Sequence, residues 1–150
     1  MTVRPPHTVR KSVLVPYAAE EMFSLVERVE DYPSFLPWCG GTDVQRHEDG
    51  SMTATVQIAF RGIQQSFTTH NEHEPGRRIT MTLRDGPFSH LRGEWRFTPL
   101  RADACKVEFD LEYRFAVGLL GRALAPVFDH IARSFVDAFV QRAEALHAAG

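Results

Sequence analysis

Cysteine is scarce. Cys39 and Cys105 stand far apart and outside any CxxC pair, so spacing offers no disulfide framework and the two read as buried free thiols of a reducing compartment. Charge of one sign is also lacking: seventeen basic and nineteen acidic side chains leave a formal charge of −2, which gives the whole molecule no pull toward a phosphate backbone. Long apolar runs are missing. Met1 to Pro16 holds Arg4, His7, Arg10 and Lys11 without a continuous hydrophobic stretch, hence neither a signal-peptide core nor a membrane span. The expected location is the cytoplasm, with at most a peripheral contact at the inner membrane. No fixed-period repeat, low-complexity tract or Pro/Gly/Ser-rich linker divides the chain.

Signatures of catalysis are absent as well. There is no GxSxG elbow, HExxH, GxGxxG or phosphate-binding loop, and the carboxylates of the last strands fall on the solvated parity, away from any tuning environment. In His70-Asn71-Glu72-His73 the two histidines point to opposite faces of a strand, which argues against a shared metal. Cys39 has no basic neighbour in sequence to activate it as a nucleophile. The expectation is a protein that is not an enzyme, needs no cofactor and holds no metal.

What is present is a globular composition, 43% hydrophobic and 24% charged over 150 residues, enough for one domain spanning 1–150 with its own core. Val9, Val13 and Val15 alternate with Arg10 and Ser12 as a first strand. Pro16 stops it, and Met22, Leu25, Val26 and Val29 recur at helical spacing over Ala18 to Val29. Asp31 to Gly41 is apolar but broken by Pro33 and Pro37, room for a turn or two of helix at most.

Alternating segments follow. Met52, Ala54, Val56, Ile58 and Phe60 share a face, then Ile63 with Phe67, then Ile79, Met81 and Leu83, separated by turn signals at Asp49-Gly50, Arg61-Gly62, Pro75-Gly76 and Asp85-Gly86. Leu91, Trp95 and Phe97 alternate with Arg92, Glu94 and Arg96. Cys105, Val107, Phe109, Leu111, Tyr113 and Phe115 alternate with charges, so one sheet face is apolar and the other wet. From Gly118 the period becomes helical, with Leu120, Leu124, Val127, Phe128, Ile131, Phe135, Phe139 and Leu146 on a stripe, and Pro126 predicts a kink or break. Val136 and Val140 look misplaced on the polar side. A single apolar sheet face needs one cover, and the terminal helix is the element long enough to give it. The fold class is α+β: a curved antiparallel sheet of about six to seven strands wrapped on one long C-terminal helix, with a cavity expected where a straight helix crosses a curved sheet.

Tyr32-Pro33-Ser34-Phe35-Leu36-Pro37-Trp38-Cys39, followed by Val44, resembles the proline-flanked FLPWC segment of the family that holds the coenzyme Q-binding proteins and the ribosome association toxins. Phe60-Arg61-Gly62-Ile63 is similar to that family's hairpin turn. Gly86-Pro87-Phe88 through Leu91, Trp95, Phe97 and Pro99 is similar to its "GPF..L...W.F.P" segment, and Phe135 to Ala143 to its closing helix. The likeness runs from about His7 to Leu146. It implies a START-like helix-grip fold and, as the leading reading, a non-enzymatic pocket for a bound ubiquinone or other lipid in support of respiratory electron transfer; the alternative, on the toxin branch, is a contact with the large ribosomal subunit that blocks subunit association. A polyketide cyclase or aromatase activity, hosted by the same fold, is a third reading with no polar cavity group to carry it.

Three sets of candidate residues follow. Phe35, Leu36 and Trp38 are read as a mobile apolar lid over a ligand or in transient contact with a membrane, against the alternative that they plug one end of the core. Met81, Leu83, Phe88, Leu91, Trp95, Phe109, Leu111, Tyr113, Phe128, Phe135 and Phe139 form the candidate pocket wall, with the Tyr113 hydroxyl available to a quinone carbonyl, against the alternative that it meets backbone or water. Arg61, Arg77, Arg78, Arg84, Arg92 and Arg96 make the middle of the chain locally basic, a candidate patch for ribosomal RNA or anionic lipid. The oligomeric state stays open.

Overall fold

The computed structural model describes residues 6–149. Strand β1 (His7–Val15) leads into helix α1 (Ala19–Glu27) and a 3-10 segment, Val29–Ser34. Strands β2 (Cys39–Arg46), β3 (Met52–Phe60), β4 (Ile63–Glu74), β5 (Arg78–Asp85), β6 (Phe88–Arg101) and β7 (Ala104–Phe115) then precede helix α2 (Leu119–Ala149). All seven strands form one antiparallel sheet in the order β1-β7-β6-β5-β4-β3-β2. Four of the five hairpins sit at expected turns, the β6–β7 turn at Ala102-Asp103 having carried no Gly or Pro to announce it, and Arg61 and Gly62, both at positive φ, close the two-residue β3–β4 turn, as a hairpin whose strands twist right-handedly requires. β2 was not legible in the alternation: Gly40 and Gly41 carry no side chain to mark a face, and its register slips between Cys39 and Gly41.

The apolar parity read from sequence is the buried face. Trp95, Phe97, Phe109 and Tyr113 are almost wholly enclosed, and Trp95 lies against Phe109, Phe135 and Phe139 at centroid distances of 4.4, 5.6 and 5.4 Å. Phe88 and Leu91 both point inward although three residues apart, because the register shifts between Phe88 and His90, the one-residue insertion of a bulge. The covering layer is not α2 alone. Met22 and Val26 of α1 are buried, and Phe23 meets Phe97 edge-on.

α2 corrects three expectations. It runs through Pro126 without interruption; that residue is exposed, so the carbonyl that loses its N–H partner can turn to water. Val136 is buried and Val140 half-buried, so neither is a misplaced surface residue. Leu146 is 45% exposed rather than part of the stripe. The side chain of Leu120 lies outside the described residues.

Candidate functional site

Between the sheet and α2 lies a cavity of about 70 Å³. Its floor is built by inward positions of four strands: Met52, Ala54 and Val56 from β3, Phe67, Thr69, Asn71 and His73 from β4, Ile79 and Met81 from β5, Phe109 and Leu111 from β7. Phe128, Ile131, Ala132 and Phe135 of α2 roof it, and Val26, Glu27, Val29, Tyr32 and Trp38 border one side, the Glu27 carboxylate being held outward by Arg46. Gly93 belongs to the same face; a Cβ there would lie 2.6 Å from Met81 Cε, so the missing side chain is what lets Met81 lie across the floor.

Of the expected wall, Trp38, Met81, Phe109, Leu111, Phe128 and Phe135 line this cavity. Phe35, Leu36, Leu83, Phe88, Leu91, Trp95, Tyr113 and Phe139 do not. Trp95 and Phe139 stand behind Phe135 as supporting core, while Phe88 packs with Phe67, Phe115 and Phe128 to seal one end. Strand parity assigns a face, and only the three-dimensional curvature decides which residues of that face meet a void. Tyr113 is not free for a ligand: its hydroxyl donates to Asp129 Oδ1 of α2 over 2.7 Å. That bond, aided by Arg133, holds the Asp129 carboxyl below its usual range, and burial raises the Tyr113 phenol.

The FLPW segment is a closed plug in this structure, with Leu36 and Trp38 buried and Phe35 half-buried. The Trp38 carbonyl accepts from Ala59 N–H over 2.8 Å, which ties the segment to β3. Outside it runs a groove of about 460 Å³ lined by Phe35, Leu36, Pro37, Phe60 and the exposed side of α2. Trp38 lines both spaces, so its indole is the partition between them.

Sequence reasoning missed the polar part of the wall. Continuing the parity of Ile63 and Phe67 would have placed Thr69, Asn71 and His73 inward, but the strand reads as hydrophilic past Phe67 and the alternation no longer announces itself. Thr69 and Asn71 are buried, and Thr69 Oγ1 donates to Asn71 Oδ1 over 2.8 Å. His73 Nδ1 lies 3.0 Å from the Gly50 carbonyl, and its Nε2 is enclosed with no partner.

The six arginines do not make one patch. Registers place Arg78 opposite Arg96 near one end of the sheet, with Arg92 opposite Thr82 toward the other. Arg78 is paired with Glu74 and Glu94, and Arg96 with Glu94, Glu108 and Asp110. Arg61 sits over the Phe60 ring at 4.9 Å. Arg77, Arg84 and Arg92 have no ion pair among the described residues. Both cysteines are free and buried, and burial raises their thiols, so neither is poised as a thiolate. No cluster of three metal-binding side chains occurs among the described residues, and no helix there is long and apolar enough to cross a membrane.

A seven-stranded antiparallel sheet gripping one long helix around an enclosed apolar cavity defines a START-like helix-grip protein. The chain belongs to the polyketide cyclase / dehydrase and lipid transport family, whose model matches residues 15–140. It is 42% identical to the ribosome association toxin RatA of Escherichia coli over 94% of this chain and 89% of that protein. A mitochondrial coenzyme Q-binding protein, the COQ10 homolog B of Xenopus laevis, is 26% identical over 89% of this chain and 56% of that protein. Among solved structures, an 18 kDa protein of Caulobacter crescentus is 33% identical with a TM-score of 0.73, covering 95% of this chain and 99% of its own. The Zhui aromatase/cyclase of a Streptomyces species reaches a TM-score of 0.79 at 17% identity, covering 93% of this chain and 94% of its own; that likeness concerns the fold alone.

Proposed function

We propose that the protein acts on ribosomes, binding the large subunit and lowering its association with the small one. The observation that carries this reading is the 42% identity to a ribosome association toxin across nearly the whole of both chains, against 26% to the coenzyme Q-binding relative. The geometry is consistent with it: a cavity of about 70 Å³ is far below the roughly 300–1,000 Å³ of pockets that hold sizeable ligands, so the closed state contains no room for a polyisoprenoid quinone. Sucrose-gradient profiles after overexpression test the proposal. Free subunits should rise at the expense of assembled ribosomes, and an unchanged ratio would sink it.

A second reading, carriage of an apolar ligand, is favoured by the apolar roof and by the Trp38 partition, whose displacement joins the cavity to the groove. Organic extraction of gently purified protein followed by mass spectrometry checks it. A quinone or lipid present in stoichiometric amount supports carriage, and protein that is empty and cannot be loaded with added quinone removes it.

A further inference from the structure

The FLPW segment, expected to touch a membrane, has Leu36 and Trp38 buried and packs Phe35 against Phe139 and Arg142 in the C-terminal half of α2. The other end of α2 does the reverse. In the turn that joins β7 to α2, Val117 is fully exposed and Leu119 83% exposed. Ala123 and Pro126 are exposed as well, and their spacing from Leu119 puts all three on one face of the helix start. The protrusion is anchored on both sides: Ala116 N–H donates to the Pro87 carbonyl over 2.9 Å, and Arg122 N–H to the Gly118 carbonyl over 3.3 Å. Gly118 sits at φ +131°, a region that residues with a Cβ rarely enter, and a Cβ on Gly121 would come within 2.5 Å of the Ala116 carbonyl oxygen. The two glycines thus close a tight reversal whose apex holds Val117 and Leu119 outward.

Charge along this stretch is of one sign. From Tyr113 to Phe128 the chain holds Arg114 and Arg122 and no acid, and Arg122 is exposed, with no ion pair among the described residues. On the β5–β6 turn, which supplies the Pro87 carbonyl, Asp85 follows Arg84, so that turn adds no net charge. Single exposed aliphatics need no explanation, but a pair at an apex beside an unpaired arginine does. Two side chains on a convex tip fall far short of the roughly 1,000 Å² that a stable protein interface buries, and their apolar atoms offer nothing to the phosphates of RNA. We propose that this tip is a membrane-docking element whose partner is the surface of an anionic lipid bilayer: Val117 and Leu119 enter the interfacial layer while Arg122 meets lipid phosphates. So small an apolar insertion gives reversible attachment. The surface lies outside the cavity and rests on neither functional reading.

Co-sedimentation of the full chain with phosphatidylcholine vesicles, and with vesicles that mix phosphatidylcholine and phosphatidylglycerol, tests the assignment. The protein should bind the mixed vesicles and not the neutral ones, and added salt should weaken the binding by screening. Val117→Ser/Leu119→Ser should lower the affinity about tenfold or more at an unchanged melting temperature, because both side chains are already in water. Arg122→Glu should lower it at least about fivefold. Leu14→Ser/Leu100→Ser, which removes exposed aliphatics elsewhere, should bind as the wild type does. The emission of a Leu119→Trp variant should move to the blue on adding mixed vesicles, as an indole leaving water requires. No binding to the mixed vesicles, full binding by the Val117→Ser/Leu119→Ser variant, or an equal loss in the Leu14→Ser/Leu100→Ser control would each overturn the proposal. So would a self-associated protein that the tip substitutions turn into monomers, since a second copy would then be what covers the tip.

Discussion

At the residue scale the most informative side chain is Tyr113. Parity put it on the buried face, which is correct, and its polar tip suggested a ligand contact, which the structure replaces with Asp129 sixteen residues on. No local pattern reveals such a partner, because it depends on how far α2 is shifted along the sheet. The bond has a pH signature. The Tyr113 hydroxyl, then Arg133, depress the Asp129 carboxyl in the folded protein, partly offset by burial. As pH falls the unfolded chain therefore protonates first, so the contribution is present above the ordinary carboxylate range and is lost as pH drops through the depressed native value. Tyr113→Phe should cost on the order of 1 kcal/mol in urea unfolding at neutral pH. The gap between wild type and variant should shrink by about pH 3, below the ordinary aspartate value; an equal gap at both pH values would count against the linkage.

At the scale of elements, hydrophobic alternation gave β3, β5, β6 and β7 their faces because each of these strands packs one side on the core and keeps the other wet. It failed where that condition fails. β2 is an edge strand that opens on two glycines, and β4 turns polar toward the cavity, so the part of the wall with the most chemical specificity was the part least legible. The long helix was legible in extent but not in continuity. Pro126 removes an N–H that would otherwise bond to the Arg122 carbonyl, and it sits on the exposed side. Pro126→Ala should restore that bond and raise stability by about 1–3 kcal/mol, visible as a higher melting temperature; no gain would mean that the helix is bent there to follow the sheet.

The FLPW plug makes a separate prediction at the same scale. Trp38 is the shared wall of cavity and groove, so Trp38→Ala should merge them. Removing a buried indole costs roughly 3–5 kcal/mol, and the opened space should bind an apolar fluorescent dye that the wild type excludes. A folded variant that still excludes the dye would show that the neighbouring aromatics collapse into the gap and that Trp38 is not the partition.

At the scale of the whole molecule the charge is nearly balanced, so any contact with ribosomal RNA must come from a local surplus of arginine rather than from a general field. The outer face of the sheet divides into two regions. Around Arg78 and Arg96, carboxylates of β4, β6 and β7 neutralise the guanidinium groups, and such paired charges have little left to offer a phosphate. Arg84 and Arg92 stand on neighbouring strands: Arg92 is opposite Thr82, Arg84 is the extra residue of the β5 bulge two positions further on, and neither has an ion pair among the described residues. If the protein binds ribosomes through this sheet, that end carries the phosphate contacts. The Arg84→Glu/Arg92→Glu double variant should then keep the wild-type melting temperature yet lose the excess of free subunits in sucrose gradients. The salt dependence of ribosome binding should flatten by about one power of salt concentration for each contact removed. Arg77→Glu, at the opposite end beside the β4–β5 turn, serves as the control. If that substitution abolishes the effect and the double variant does not, RNA contact lies at the other end of the sheet; if neither changes the profile, recognition does not run through these arginines at all.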